Sequence, residues 1–523
     1  MEAPPTIPAA LRRAATLWPD DVAVAEGGRR VTWSALADRA TDVARALVGS
    51  GVRPGDRVGL WAPNSTGWIV ASMGVYAAGA ILAPVNTRFT GAEGAQALRT
   101  AGARTLLTVT DFLGTDYVRA LAADPELLGS LDVVILSGEP GAQVGWDDFL
   151  ARGAGVDHTP AEDGLTADDP SDVIFTSGTT GRPKGALLTH GSSTRTYTAW
   201  SDAVGLARDD RYLVVYPFFH CAGLKSAVLA CVLRGATIVP CPVFAVETVM
   251  ALVESERVTM LPGPPSLYQS LLNADLSGYD RSSLRLAVTG AAAVPVELVR
   301  RMRDELGFAS VVTAYGLTET TGTVTACRHD DPIEVIANTS GRPIPGMAVR
   351  TVDRSGADVG PGEPGEVLAK GFAVMRGYYG DPAATAEAID ADGWLHTGDI
   401  GVLDEAGNLR ITDRIKDMFI VGGFNAYPAE IENVLLGHAG VAAVAVVGAP
   451  DERLGEVGYA FVVPRAGADP GDLLAWCRGR MANYKVPRHL EIVDALPLNR
   501  MGKVEKRVLR DRAASALSRS GPA

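Results

Sequence analysis

With 523 residues, the chain is too long for one simple core and is expected to form two or more domains. Its 47% hydrophobic and 21% charged content excludes a disordered polymer. Lys plus Arg (48) against Asp plus Glu (61) gives −13, which with no long basic run excludes a general nucleic-acid binder but not an anionic substrate.

The N-terminal Met1-Glu2-Ala3-Pro4-Pro5 lacks the basic-then-apolar order of a signal peptide. Residues 34–47 follow a helical pattern, and 58–61 form an apolar run that predicts a strand. Residues 68–85 are apolar enough to suggest a membrane span, but Ser72, Gly74, Gly79 and Pro84 interrupt them. A span needs about 20 apolar residues, so a buried helix running into a core strand is expected, without stable membrane insertion. Residues 105–109 and 133–136 read as further strands, and the polar stretch 153–172 as a linker. The five cysteines, Cys221, Cys231, Cys241, Cys327 and Cys477, form no C-x-x-C pair. They argue against a zinc site or disulfide framework and for a reducing cytoplasm.

After the apolar run 173–175 comes Thr176-Ser177-Gly178-Thr179-Thr180-Gly181-Arg182-Pro183-Lys184-Gly185. Glycines let backbone N–H groups approach a phosphate, and hydroxyls and Lys184 add donors and charge. The common kinase loop puts Lys directly after its last Gly and a Ser or Thr after that Lys. Here two residues separate Gly181 from Lys184, and Gly185 follows. A plain surface turn would not need this concentration of hydroxyls at the end of a buried strand.

Further along, 213–215 predicts a strand and leads to Pro217-Phe218-Phe219-His220. Thr289-Gly290-Ala291-Ala292-Ala293 follows an apolar run, and its small residues would let a flat base lie against backbone. Small residues in that place usually mean close packing instead. A helical pattern over 297–306 precedes another apolar pair and Ala314-Tyr315-Gly316-Leu317-Thr318-Glu319, which offers an aromatic face, a hydroxyl and a carboxylate. A base could stack on Tyr315, and Glu319 suits a hard cation. A turn with a solvated Glu is the plain alternative. Asp399, in Gly393-Trp394-Leu395-His396-Thr397-Gly398-Asp399, suits ribose hydroxyls, with surface salt-bridging as its alternative. A break near 413–417 is followed by an α+β pattern: a helix from 428, strands at 442–447 and 459–463, a helix at 472–481 and a strand at 491–493. Residues from 513 read as frayed. Lys503, in Leu496-Pro497-Leu498-Asn499-Arg500-Met501-Gly502-Lys503, would by itself be an ordinary solvated lysine.

Taken in order, TSGTTGRPKG, AYGLTE, GWLHTGD, DRIKDMFIVGGFNAYPAEIE and NRMGK resemble the adenylate-forming superfamily of acyl-CoA synthetases, luciferases and peptide-synthetase adenylation domains. The resemblance covers residues 17–510. It implies an α/β fold: a large N-terminal domain of two α/β sheets and a distorted β-barrel over 1–414, and a small mobile α+β lid over 415–523. It implies activation of a small-molecule carboxylic acid by ATP with Mg²⁺, giving acyl-AMP and pyrophosphate, then transfer to CoA. By the same resemblance Thr176, Ser177, Gly178, Thr179, Thr180, Gly181 and Lys184 hold the β- and γ-phosphates, and Gly290, Ala291, Ala314, Tyr315 and Gly316 hold the nucleotide. Thr318 contacts the α-phosphate, Glu319 binds Mg²⁺, and Asp399 and Arg414 hold the ribose. Lys503 bridges the carboxylate and the α-phosphate during adenylation. The lid turns about Lys416, a position where many bacterial relatives carry Asp, and Gly422 and Gly423 then line a pantetheine tunnel. His220 matches an aromatic-histidine segment between the ATP and acyl pockets. A homodimer is compatible with the family.

The segment Phe218 to Lys225 contains no acid, whereas adenylation domains for amino acids usually carry an Asp there to pair the substrate ammonium. An acid without an amino group is favoured. A Cys221–His220 nucleophilic pair ranks low, because neighbours in an extended segment point to opposite sides. The wording at 218–220, 261–265, 287–291, 407–413 and 453–458 is similar to the actinobacterial branch of acyl-CoA ligases acting on the hexahydroindanedione propanoate left after steroid rings A and B are degraded. The alternatives are a medium- or long-chain fatty acid CoA ligase, an acyl-AMP ligase loading a carrier protein, and a non-catalytic nucleotide- or acyl-binding protein.

Overall fold

The computed structural model describes residues 2–176, 184–290, 294, 296–414, 417–421, 424–451, 454–465, 470–478, 480–481, 483–499 and 503–519. The chain forms two compact units, residues 1–349 with 369–395, and residues 350–368 with 396–523.

In the first unit, eight described strands form one sheet in the order Gly377–Tyr378, Lys184–Thr189, Pro170–Thr176, Ile81–Pro84, Arg57–Trp61, Thr105–Val109, Asp132–Ser137 and Val144–Gly145. Ile81–Pro84, Arg57–Trp61, Thr105–Val109 and Asp132–Ser137 pair in parallel and are largely buried, as a sheet covered on both faces requires. The helix Thr66–Ala77 starts where the Ser65 hydroxyl accepts the Trp68 N–H, and it is buried on all sides. Gly74 makes that possible: a Cβ there would lie 2.4 Å from Val43 on the helix Trp33–Gly49. Among the described residues no helix is long and apolar enough to cross a membrane.

A second layer contains Arg211–Val214, Thr237–Pro240, Val22–Glu26 and Arg29–Thr32, and another sheet runs Leu286–Gly290, Ser310–Tyr315, Thr325–Ala326 and Arg342–Pro343. Met260 bridges both Tyr212 and Leu286, so the two sets run on into each other.

The second unit holds most of a four-stranded sheet, Met347–Val352, Pro364–Gly371, Leu395–Leu403 and Leu409–Arg414. It also holds a five-stranded one built on the hairpin Val441–Asp451 and Gly455–Pro464. The helix Pro428–Leu436 buries Ile431 and Leu435 against one face of the hairpin sheet. The helix Lys506–Arg519 buries Leu509 and Ala513 with residues of the other.

Three expectations are corrected here. The stretch 153–172 is not all linker: a short helix spans Thr159–Asp163, and the strand Pro170–Thr176 begins within it. Asp172 is fully buried, because Lys225 neutralises it. Residues 513–519 are not frayed but belong to the helix Lys506–Arg519, and Ala513 lies in a core with Phe461 and Val493. The extended segment ends before His220: the strand stops at Val214, the His220 N–H donates to the Pro217 carbonyl at 3.1 Å to close a turn, and the His220 ring Nδ1 accepts the Ala222 N–H and caps a helical turn, Cys221–Gly223.

Candidate active site

The hydroxyl-rich loop is closed by a hairpin. Pro170–Thr176 and Lys184–Thr189 pair antiparallel with Thr176 opposite Lys184, and the Thr176 hydroxyl donates to the Lys184 carbonyl at 3.4 Å. Gly185 is needed beside it, because a Cβ would sit 2.5 Å from the Val173 side chain. The loop's ends are thereby fixed by sheet hydrogen bonds. Ser177, Gly178, Thr179, Thr180 and Gly181 lie outside the described residues, as do Ala291, Lys416, Gly422 and Gly423 and the side chain of Arg414.

Lys184 does not stand alone. The short strand Gly377–Tyr378 pairs with Lys184–Thr189, placing Tyr378 opposite Ala186. The Lys184 ammonium then lies 4.9 Å from the centre of the Tyr378 ring. The Tyr378 hydroxyl donates to Glu319 Oε1 at 2.8 Å. Burial and then the Glu319 charge push that hydroxyl above its usual range, so it stays a donor. Sequence reasoning missed Tyr378. Its only linear sign is an aromatic pair between glycines, Gly377-Tyr378-Tyr379-Gly380.

Glu319 sits in a single 3₁₀ turn, Thr318–Thr320, after the strand Ser310–Tyr315. The turn is pinned on every side. The Met375 N–H donates to the Glu319 carbonyl at 2.8 Å, and the Thr321 hydroxyl donates to the Ala373 carbonyl at 2.7 Å. The buried Tyr197 hydroxyl donates to the Thr321 carbonyl at 3.0 Å. Thr321 itself takes φ 58°, a left-handed conformation that side chains other than Gly rarely adopt. Such strain persists where the surroundings over-determine it. Gly290 and Ala314 are register partners, and a Cβ on Gly290 would meet the Ala314 carbonyl oxygen at 2.5 Å. A Cβ on Gly316 would meet the Gly322 carbonyl oxygen at 2.4 Å. Close packing of backbone therefore accounts for both glycines, and the half-buried Tyr315 rises beside them.

Cys221 lies beside Thr318 and Glu319, fully buried, and desolvation pushes its thiol up to about 12. It is a thiol at neutral pH, which removes it as a nucleophile. His220 is half-buried and spends Nδ1 on its own cap. The first unit thus brings together Thr176, Lys184, Thr318, Glu319, Gly290, Ala314, Tyr315, Gly316 and the His220 turn. Two surface grooves, of about 680 and 580 Å³ and both lined by Asp42 and Leu150, share no lining residue with this cluster.

In the second unit Asp399 is buried and is the register partner of Arg414 across antiparallel strands. Its N–H donates to the Thr397 hydroxyl oxygen at 3.1 Å, and that hydroxyl donates to the Val367 carbonyl at 2.6 Å. Lys503 is exposed on a hairpin in which its N–H donates to Asn499 Oδ1 at 3.0 Å and its carbonyl accepts the Asn499 N–H at 2.7 Å. Among the described residues no three His, Cys, Asp or Glu side chains group as a metal cage.

The chain matches the AMP-binding enzyme family over residues 11–379 and the AMP-binding enzyme C-terminal domain over 430–503. It is 48% identical over 522 residues to a 3-[(3aS,4S,7aS)-7a-methyl-1,5-dioxo-octahydro-1H-inden-4-yl]propanoyl:CoA ligase of Rhodococcus jostii, covering 98% of this chain and 99% of the relative. A ligase of the same name from Mycobacterium tuberculosis is 48% identical over 511 residues, with 97% and 98% covered. The crystal structure of ATP-bound MatB from Rhodopseudomonas palustris superposes with a TM-score of 0.86 at 30% identity, covering 97% of this chain and 99% of that one.

Proposed function

The chain belongs to the AMP-binding enzymes and is an AMP-forming acid–thiol ligase of the acyl-CoA synthetase kind; on that premise we propose that its acid is the steroid-derived hexahydroindanedione propanoate. The observation that carries this is 48% identity over nearly the full length of two ligases named for that acyl group. The buried acid near the His220 turn supports an acyl group without an ammonium, because Asp172 already holds Lys225.

In the proposed reaction a carboxylate oxygen attacks the α-phosphorus of ATP, the bond to the β-phosphate breaks, and pyrophosphate leaves. The CoA sulfur then attacks the acyl carbon, and AMP departs. Thr176 and Lys184, at the two ends of the loop, meet the outer phosphates, and Thr318 meets the α-phosphate. Asp399 and Arg414 take the ribose. Lys503 supplies the charge that draws carboxylate and α-phosphate together, since fixed charge aimed at a developing oxyanion is the strongest single contribution available. Glu319 fits magnesium, which is bound through one or two carboxylates plus substrate phosphates rather than in a protein cage. Bound there, the ion would neutralise phosphate charge. Residues 415–523 serve as a lid hinged at Lys416, with Gly422 and Gly423 beside the pantetheine. Five free, buried cysteines support a cytoplasmic location. A homodimer belongs to the same proposal, and light scattering measures it.

A panel of carboxylates with ATP and CoA tests the substrate. The steroid-derived propanoate is expected to give the highest kcat/KM. Efficient turnover of fatty acids with none of that propanoate would overturn the assignment. Pyrophosphate release without a CoA thioester would select a carrier-protein acceptor, and no ATP–pyrophosphate exchange with any acid would select a binding protein.

A further inference from the structure

Beneath the His220 turn lies a charged pair that the reaction does not use. Lys225 and Asp172 are both fully buried, with Nζ and Oδ2 2.5 Å apart. The Asp172 carboxylate also accepts the Tyr76 hydroxyl at 2.6 Å and the Ser171 hydroxyl at 2.5 Å. The ammonium lies 5.3 Å from the centre of the Tyr76 ring.

Stability does not explain such a pair. Burying two charges costs several kcal/mol each, and exchanging a buried ion pair for apolar residues is often neutral or stabilising. What the pair does supply is a direction. Lys225 lies in a π-helical turn, Leu224–Leu229, that follows the Cys221–Gly223 turn without a break. Turns of this kind are rare and concentrate at functional sites.

The two partners are not equally held. Asp172 is on a strand paired to Lys184–Thr189 on one side and to Ile81–Pro84 on the other. The segment Phe218–Gly223 is in no described strand. It folds back on itself so tightly that a Cβ on Gly223 would meet the Pro217 carbonyl oxygen at 2.1 Å. Its ties include the Phe218 N–H donating to Asn64 Oδ1 at 2.8 Å, the Ala222 N–H donating to His220 Nδ1 at 3.1 Å and the Ser226 hydroxyl donating to the Ala222 carbonyl at 2.5 Å. Lys225 is the charged tie between this segment and the sheet.

We propose that Lys225 is a positioning residue for acid binding: locked on Asp172, it fixes the π-helical turn and so holds the preceding turn of Phe219, His220 and Cys221, of which Cys221 lies beside Thr318 and Glu319. This rests on assigning the His220 segment to the acid side of the site. The sheet holds the phosphate loop independently, so ATP binding does not depend on the pair.

The test is ATP–pyrophosphate exchange with the hexahydroindanedione propanoate, or with whichever acid the panel selects. The variant is Asp172→Asn with Lys225→Met, which removes both charges together and strands neither. It is expected to keep a cooperative melting transition, to raise the acid KM about tenfold, and to leave the ATP KM within twofold. Lys225→Met alone is expected to give the same acid effect with a lower melting temperature, because Asp172 is then unpaired; if it fails to fold, the double variant carries the test. A folded double variant with unchanged acid KM, or with both KM values raised equally, overturns the inference. His220→Ala separates the two layers. If it raises the acid KM and the double variant does not, the positioning role alone falls. If His220→Ala leaves the acid KM unchanged, the assignment of the segment falls and takes the positioning role with it.

Discussion

The Tyr378 hydroxyl donates to the Glu319 carboxylate at 2.8 Å while the Tyr378 ring faces the Lys184 ammonium at 4.9 Å. One side chain thus touches the anion expected to hold a metal and the cation expected to hold phosphate. A hydrogen bond to a charged group contributes about 1.5–3 kcal/mol.

Tyr378→Phe separates the two contacts, because the ring remains and the hydroxyl goes. The expected result is a fall of about tenfold in kcat/KM for ATP–pyrophosphate exchange, with a higher Mg²⁺ requirement. Tyr378→Leu, which loses the ring as well, is expected to fall further and to raise the ATP KM. Equal kinetics for the two variants would show that the ring contact to Lys184 has no consequence.

Lys503→Ala is expected to lower adenylation by at least about a hundredfold, since oxyanion-type donors each contribute about 10²–10³ in rate. Thioester formation from supplied acyl-AMP is expected to stay within about threefold. The reason is that, in the proposed mechanism, Lys503 contributes its charge only while the carboxylate and α-phosphate are being joined. Single-turnover measurements of each half-reaction check this, and equal loss in both would remove the two-position lid. Lys416→Pro is expected to show the reverse pattern, impairing the thiol step more than adenylation.

Much of the fold was legible because many of its strands are largely apolar runs between turn residues; the run 105–109 is a strand with those bounds, Thr105–Val109. The site was legible as motifs but not as contacts. Tyr378 reaches Glu319 only because Gly377–Tyr378 adds to the edge of Lys184–Thr189, a pairing across nearly two hundred residues that no local pattern encodes. Asp172 reads as linker because Asp-Pro-Ser-Asp is polar, and its neutralising partner lies 53 residues away. The terminal helix is different, because its signal was present. Leu509, Ala513, Ala516 and Leu517 follow the i, i+4, i+7, i+8 stripe of a buried face, obscured by the arginines between them.

That stripe gives a direct test. Ala513 is fully buried with Val447 and Phe461. Ala513→Asp places an unpaired carboxylate there and is expected to cost about 3 kcal/mol or more. Denaturation followed by Trp476, which belongs to the same unit, is expected to show that unit unfolding earlier, while Ala514→Asp on the exposed side is expected to be nearly neutral. Indistinguishable variants would mean that the terminal helix adds nothing to the unit.

His190 is expected to contribute to the acid limb of stability. Its ring is fully buried, its Nδ1 accepts the Ile7 N–H at 3.4 Å, and among the described residues its Nε2 has no hydrogen-bond partner. Desolvation is the main cause that holds its pKa down to about 4, with Lys225 adding to it and Asp172 opposing. The folded value is depressed below the ordinary 6.5, so between those values the unfolded chain binds more protons than the folded one. Stability from keeping His190 neutral is therefore complete above about pH 6.5 and is lost as pH falls toward 4. The loss approaches about 3 kcal/mol at the lower end. Urea midpoints of wild type are expected to drop over that interval, and those of His190→Gln to drop less, because its amide does not titrate. An unchanged slope in the variant would assign the acid sensitivity to the carboxylates instead.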